Sequence, residues 1–181
     1  MTPTVYTLGH STRSLDELVE ILHAHGVTQL VDVRTVPKSR HNPQFNADTF
    51  PGALRDAGID YVHLETLGGL RHTRKDSINT GWRNASFRGY ADYMQTEAFE
   101  RGVERLIALA DEAPTAILCA EAVPWRCHRS LIADALSVRG VAVAHLMSAT
   151  KKSPHAMTSF AKVDGTTITY PAPETDDAAG D

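Results

Sequence analysis

Both cysteines of this 181-residue chain lie in one short stretch, LCAEAVPWRCHRSL, at residues 118–131. Cys127 has arginines on both sides and His128 beside it, and it comes just before a predicted helix whose N-terminal dipole also favours negative charge. Thiolate is the reactive form of cysteine, and an adjacent imidazole could serve as its base. We therefore predict Cys127 as a nucleophile or redox thiol, with Glu121 and His128 as an acid/base pair.

The same residues also fit less reactive roles. Cys119 ends an apolar run and is most simply a small buried hydrophobe at the end of a strand, and Cys127 could pack beneath the loop in the same way. A metal site is a third alternative, with Cys119, Cys127 and His128 as soft ligands. His10 or His145 could complete its coordination, although the spacing is not that of a zinc finger or ribbon. A disulfide across the loop is a fourth. We predict no cofactor and keep a metal ion as the alternative.

The elements that would position these residues alternate between strand and helix. Apolar runs predict five strands, at residues 5–8, 29–34, 59–64, 115–119 and 141–146. Helical spacing predicts helices at residues 14–26, 51–57, 90–94, 97–110 and 130–138. This alternation predicts a single α/β domain of Rossmann-like or rhodanese-like type over residues 1–170, with a mostly parallel five-stranded sheet and helices on both faces.

The C-terminal region has a different pattern. Asp164 and Gly165 stand between two short extended runs, and this pair predicts a hairpin with a type I′ turn. Residues 171–181 are rich in acidic and small residues, and we predict a disordered tail there.

Polar groups follow the predicted strands at the edge where ligands of parallel sheets bind. They are Gly9-His10-Ser11, Asp32-Val33-Arg34, His63, Cys119-Ala120-Glu121 and His145. We expect them to converge on a polar cleft. The loop at residues 9–14 joins a strand to a helix, where free amides, hydroxyls and a cation would meet an anion. The predicted anion- or substrate-binding residues are His10, Ser11, Arg13, Asp32, Arg34, Arg40, Arg71 and Arg129.

Four segments carry a family resemblance. They are YTLGHSTRSLDEL, LVDVRTVPKSR, YVHLETLGGLR and LCAEAVPWRCHRSLIADAL, and together they resemble the family catalogued as domain of unknown function 488 over about residues 4–147. The resemblance implies a compact bacterial-type α/β domain and no settled reaction. LVDVR is also similar to the Asp-x-Arg strand of rhodaneses. The loop at residues 120–126 departs from rhodanese-like and cysteine-phosphatase sites, because it has no glycine and contains Pro124 and Trp125.

Composition bounds the partners. The net charge of −4 gives no general attraction to nucleic acid or anionic lipid. The irregular stretch at residues 68–89 is the exception, with five cations, Trp82 and Phe87, which suit a binding loop, a lid or a nucleic-acid surface. No apolar run of about 18 residues predicts a membrane span, and no signal peptide precedes the first strand. We expect a cytoplasmic protein without membrane contact.

Two functions stay open from the sequence. The first is an enzyme, a thiol-dependent transferase or hydrolase, that acts on a small anionic substrate containing a nucleotide or sulfur. The second is a regulatory module that binds metal or nucleic acid without catalysis. The residues predict no particular oligomeric state.

Overall fold

The computed structural model describes residues 4–172, which are built around a six-stranded sheet. Its strands are β1 (Thr4–Gly9), β2 (Gln29–Asp32), β3 (Asp60–His63), β4 (Thr115–Cys119), β5 (Ala142–Leu146) and β6 (Lys152–Pro154), in the order β3-β2-β4-β1-β5-β6. The first five are parallel, whereas β6 runs antiparallel to β5.

The prediction of five strands was one strand short. Every residue of β6 is exposed, so no apolar alternation marks it in the sequence. It also contains Pro154, which a strand tolerates at the edge of a sheet, where an amide donor is not needed on the outer side.

Five α-helices accompany the sheet. They are α1 (Leu15–Ala24), α2 (Phe50–Asp56), α3 (Ala85–Tyr93), α4 (Glu97–Glu112) and α5 (Arg129–Ser137). Helix α1 begins with a capping box, in which the side chains of Ser14 and Glu17 each accept a hydrogen bond from the other residue's backbone amide. Helix α3 begins earlier than predicted because the Asn84 side chain accepts from the amides of Ser86 and Phe87.

The helices cover both faces of the sheet, as predicted. Alternate residues of the buried strands point to opposite faces, so Leu30 and Leu118 pack with α1 and α2, whereas Val31 and Ile117 pack with α3, α4 and α5. The α/β class and the mostly parallel sheet are therefore confirmed. No helix within residues 4–172 is long and apolar enough to cross a membrane.

The strand order creates a crevice at one place. From β1 the chain moves through α1 to β2 and through α2 to β3 on one side, and it then returns to insert β4 between β2 and β1. From β4 it crosses through α5 to β5 on the opposite face. The connections after the neighbouring strands β1 and β4 therefore leave towards opposite faces of the sheet. Between two such connections, the edge of an α/β sheet is open to a ligand.

The C-terminal hairpin is confirmed, with β7 (Lys162–Asp164) paired to β8 (Thr167–Thr169). Its turn differs from the predicted one, because the two-residue loop is Gly165-Thr166 and only Gly165 has positive φ, at 64°. That pattern fits a type II′ turn, which requires glycine at the first central position. Of the predicted tail, residues 173–181 lie outside the described residues, while the Ala172 amide donates to Thr80 Oγ1 over 3.3 Å.

Candidate functional site

A crevice of about 790 Å³ opens at the carboxyl ends of β1, β2 and β4. It is lined by the loops after these strands, by the residues just before α5, by Gly69 and Leu70, and by the N-terminal half of α3. Of the predicted site residues, the crevice brings together His10, Ser11, Arg34, Cys119, Glu121, Cys127 and His128. Two exposed cations, Lys38 and Arg126, also line it.

Three predicted anion-binding residues lie elsewhere. The Arg13 guanidinium donates to the carbonyls of Gly9 and Met147, each over 3.3 Å, and so ties the β1 loop to the end of β5. The Arg71 guanidinium lies 3.7 Å from the centre of the Tyr93 ring, and Arg40 is exposed. None of the three arginines lines the crevice.

Arg129 is buried whole beneath the floor of the crevice. Its Nη1 donates to Cys119 Sγ over 2.7 Å and to the Glu121 carbonyl, its Nη2 donates to the Ala122 carbonyl over 2.9 Å, and its Nε donates to Thr7 Oγ1 over 3.2 Å. Within residues 4–172 no carboxylate forms an ion pair with it. A guanidinium stays charged in proteins, so this buried cation needs negative charge from another source.

Cys119 is the group that can supply this charge. Burial alone opposes its ionisation, but a hydrogen bond from Cys127 and the charge of Arg129 outweigh burial, and the pKa of Cys119 lies below its ordinary value. The sequence alone favours a packing role for Cys119. It does not show the contact with Arg129, ten positions later, whose side chain reaches the thiol from the start of α5.

Cys127 has the opposite electrostatics. Burial raises the pKa of Cys127 well above its ordinary value, and the hydrogen bond to Cys119 and the negative charge there raise it further. Its Sγ accepts from the Arg129 amide over 3.5 Å. Both thiols are free, so no disulfide joins the two cysteines.

His128 contacts Cys127 directly, with 3.6 Å between Nδ1 and Sγ. Its Nε2 lies 3.0 Å from the Val33 carbonyl, and because a carbonyl only accepts, Nε2 carries the proton and Nδ1 is the acceptor. Burial lowers the pKa of His128 to about 4. The ring is therefore neutral at pH 7 and can accept the Cys127 proton but has none to give on that side.

Asp32 and Arg34 form a buried ion pair at the end of β2. The Arg34 Nη2 donates to Asp32 Oδ2 over 2.6 Å, and Tyr61 donates to the same oxygen over 2.6 Å. These contacts are made inside the protein, so Asp32 orients Arg34 and does not face the crevice. Arg34 lines the crevice, and its Nη1 is buried without a hydrogen-bond partner within residues 4–172.

The loop after β1 presents side chains to the crevice more than amides. The amides of His10 and Ser11 donate to the carbonyls of Cys119 and Ala120, over 2.9 and 2.8 Å, so they are not free for a phosphate. His10 stacks on Phe45 with 4.5 Å between ring centres, and burial lowers its pKa below 6.5. Since Nδ1 of His10 donates to the Ser11 carbonyl over 2.9 Å, Nε2 is left as an acceptor.

Gly9 lets the β1 and β4 loops approach each other. A Cβ atom there would lie 1.5 Å from the Glu121 carbonyl oxygen, the atom that accepts from Arg129. This close approach at Gly9 is not evident from the sequence. Thr7 was also missed, although its hydroxyl is buried inside β1. A polar residue among the apolar positions of VYTLG is the one signal that could have marked Thr7.

Residues 85–89 of the predicted irregular stretch belong to α3, and many side chains of residues 68–89 make contacts within the protein. Trp82 stacks on Phe87 with 4.9 Å between ring centres, Arg88 Nε donates to the Trp82 carbonyl over 2.9 Å, and Arg74 pairs with Asp76 on the surface. Among residues 4–172, no group of three or more His, Cys, Asp or Glu side chains is arranged to hold a metal ion.

Comparison with known families places the chain. Residues 14–136 match the family described as "Domain of unknown function DUF488". The chain belongs to this family. The resemblance of the four sequence segments is thereby confirmed, over a span that contains both cysteines, the Asp32–Arg34 pair and Arg129 and that begins after His10 and Ser11. No curated protein and no solved structure matches the chain significantly.

Proposed function

We propose that this protein is a thiol-dependent transferase or hydrolase that acts on a small anionic, nucleotide- or sulfur-containing substrate in the crevice. The observation that carries the proposal is the buried Arg129 guanidinium, which has no carboxylate partner within residues 4–172 and donates to Cys119 Sγ over 2.7 Å. Such a pair stabilises a thiolate in a place where burial would otherwise protonate it.

The proposal assigns distinct roles to the two thiols. Cys119 is the thiolate, because its pKa lies below the ordinary value, whereas the sequence analysis placed the nucleophile at Cys127. Cys127 keeps its proton, because its pKa lies well above the ordinary value. Only about 1% of Cys119 is exposed, so the electrophilic group must be small enough to enter the floor of the crevice.

Group transfer at this site requires two displacements. The Cys119 sulfur forms a bond to an electrophilic sulfur or phosphorus atom, and the leaving group departs with the electron pair of the broken bond. A second nucleophile, water in a hydrolase or an acceptor in a transferase, then takes the group and restores the thiolate. Glu121, whose exposed side chain lines the crevice, would move the protons of the leaving group and of that second nucleophile.

Anion binding would use the remaining lining groups. Arg34 Nη1 offers a fixed donor whose direction Asp32 sets, and Lys38 and Arg126 add positive charge at the opening. Ser11 supplies a hydroxyl beside them.

Thiol alkylation tests the proposal. Iodoacetamide is reacted with the native protein over a range of pH, and peptide mass spectrometry gives the rate at each cysteine. We expect Cys119 to react with a midpoint below its ordinary pKa of 9.0 and Arg129→Met to move that midpoint upward. Faster alkylation of Cys127, or a midpoint for Cys119 at or above 9.0, would overturn the assignment.

Sulfur transfer of the kind that rhodaneses perform is a more specific form of this proposal, and it has its own test. With thiosulfate, the Cys119 thiolate would bond to the outer sulfur and release sulfite with the electron pair, and cyanide would remove that sulfur as thiocyanate. We expect thiocyanate formation that Cys119→Ser abolishes and exposed-surface Ser159→Ala leaves unchanged. Formation that is equal in Cys119→Ser would contradict sulfur transfer through this thiol.

The nucleic-acid alternative stays a prediction for the stretch at residues 68–89. It predicts affinity that falls steeply with salt and that is lost when Lys75 and Arg83, both exposed, are replaced by Gln. Binding to single-stranded nucleic acid at low and high salt would check it.

A further inference from the structure

A second cavity, of about 550 Å³, lies apart from the crevice. It is enclosed by the β4–α5 connection, the β5–β6 hairpin, the segment after β6 and Trp82. No residue that lines this cavity also lines the crevice. The proposed thiol chemistry therefore makes no use of it.

Both tryptophans of the chain, Trp82 and Trp125, line the second cavity. Trp125 is 67% exposed, which is unusual for so large an apolar side chain and typical of a ring that meets a partner. Trp82 Nε1 is buried and has no hydrogen-bond partner within residues 4–172. A buried indole N–H without an acceptor is unfavourable, so a ligand that carries an acceptor would relieve it.

The imidazoles of His145 and His155 also line the cavity, but their nitrogens are all engaged. His155 Nε2 donates to Asp134 over 2.8 Å, because a carboxylate only accepts. His155 Nδ1 lies 2.9 Å from His145 Nε2, and His145 Nδ1 lies 2.6 Å from the Thr7 hydroxyl. The two rings therefore offer flat aromatic surface and neither a free base nor a metal ligand.

The formal charge of the lining is positive. Lys151 contributes its ammonium group, and no carboxylate lines the cavity. Met147, Pro124 and Ala156 add apolar surface to the lining.

We propose that the second cavity binds a planar heteroaromatic molecule that carries an anionic group. The ring would lie against Trp125, an acceptor atom would meet Trp82 Nε1, and the anionic group would lie beside Lys151. This is a binding site separate from the proposed catalytic crevice, and it does not depend on the thiol assignment.

Tryptophan fluorescence tests the site directly, because both tryptophans of the chain line it. The probe is nicotinate, whose ring nitrogen is an acceptor and whose carboxylate is the anionic group. We expect saturable quenching or a shift of the emission. Quenching that rises without saturation would be collisional and would overturn the proposal.

Matched compounds and variants separate the contributions. Nicotinamide lacks the charge and should bind about fivefold more weakly, as should nicotinate to Lys151→Gln, since an exposed ion pair supports a factor of that size. The control Lys162→Gln removes an exposed lysine of β7 and should leave the affinity unchanged.

Trp125→Leu, with Trp82 as the remaining reporter, should weaken binding about tenfold because it removes the stacking surface. Equal affinity for nicotinate in the wild type and Lys151→Gln, or in the wild type and Trp125→Leu, would overturn the proposed class of ligand.

Discussion

Two buried arginines, Arg34 and Arg129, lie under the same crevice and differ in how their charge is balanced. Arg34 faces the carboxylate of Asp32, 2.6 Å away, which also accepts from Tyr61. Arg129 meets two carbonyls, a hydroxyl and the Cys119 thiol, and no carboxylate within residues 4–172 pairs with it.

A buried arginine that pairs with a carboxylate stabilises the fold, whereas a buried arginine that faces a thiol changes the ionisation of that thiol. Asp32 balances the charge of Arg34 within the protein, so this ion pair needs no ligand to balance it. A thiol near neutral pH ionises only when its surroundings favour the thiolate, so the charge of Arg129 acts by lowering the pKa of Cys119. The predictions below test this distinction through stability first and through thiol ionisation last.

Arg34→Met should have the largest effect. It leaves the fully buried Asp32 carboxylate without its cation, and we expect a loss of about 4 kcal/mol in the free energy of unfolding. Urea unfolding at neutral pH measures it. The double variant Asp32→Asn with Arg34→Met is the control, and it should be more stable than Arg34→Met alone because the stranded charge is gone. A double variant that is less stable would contradict the ion-pair account.

Gly9→Ala should have the next largest effect. The new methyl group would lie 1.5 Å from the Glu121 carbonyl oxygen, so the loop that accepts from Arg129 must move, and we expect a loss of about 3 kcal/mol. Urea unfolding again measures the loss of stability. We also expect the pKa of Cys119 to rise, and an ultraviolet titration would show this as thiolate absorbance that begins at a higher pH. Gly52→Ala is the matched control, because a Cβ there meets nothing within 4 Å. Equal stability of the two variants would show that the close approach at Gly9 is not required.

Arg129→Met should destabilise the protein by about 2 kcal/mol, less than Arg34→Met does. The reason is that Cys119 can take up a proton when its cation is removed, and the resulting thiol can donate to the Glu121 carbonyl, 3.6 Å away. Unfolding by urea and ultraviolet titration of thiolate should show a modest loss together with a higher Cys119 pKa. A loss equal to that of Arg34→Met would break the comparison.

Cys119→Ser should show the smallest effect on the free energy of unfolding, smaller than that of Arg129→Met, and the effect should depend on pH. The folded-state pKa of Cys119 is lower than 9.0, so thiolate formation adds stability as pH rises from the folded value towards 9.0 and loses it as pH falls through the folded value. Unfolding measured from neutral pH to pH 9.0 should therefore show the wild type gaining on Cys119→Ser. A constant difference would mean that the thiol stays protonated in this range.

Much of the fold could be predicted because its determinants are local. The apolar runs of β1 to β5, the capping box at Ser14 and Glu17, and the glycines that end helices each express a preference within a few residues. Strand β6 was missed for the same reason, since an exposed edge strand carries no apolar pattern.

The candidate site could be predicted in part. Strand ends carry polar groups, and the carboxyl ends of parallel strands meet, so the convergence of His10, Arg34 and Cys119 follows from the order of elements. The direction of long side chains does not follow from it. Arg13 donates to the carbonyls of Gly9 and Met147, and Arg71 donates to that of Gly68. His145 lines the second cavity together with Trp125, which is 20 positions away in the sequence.

The α/β class, the DUF488 family and the closeness of both thiols to arginine and histidine at the β4–α5 connection can be read from the sequence. Which arginine contacts which group depends on the tertiary structure. Thr7 and Arg129 are 122 positions apart, and they meet because β4 inserts beside β1 and places the start of α5 over both strands. Charge balance in a buried site depends on distances between elements remote in the chain, and no local preference of a residue contains that information.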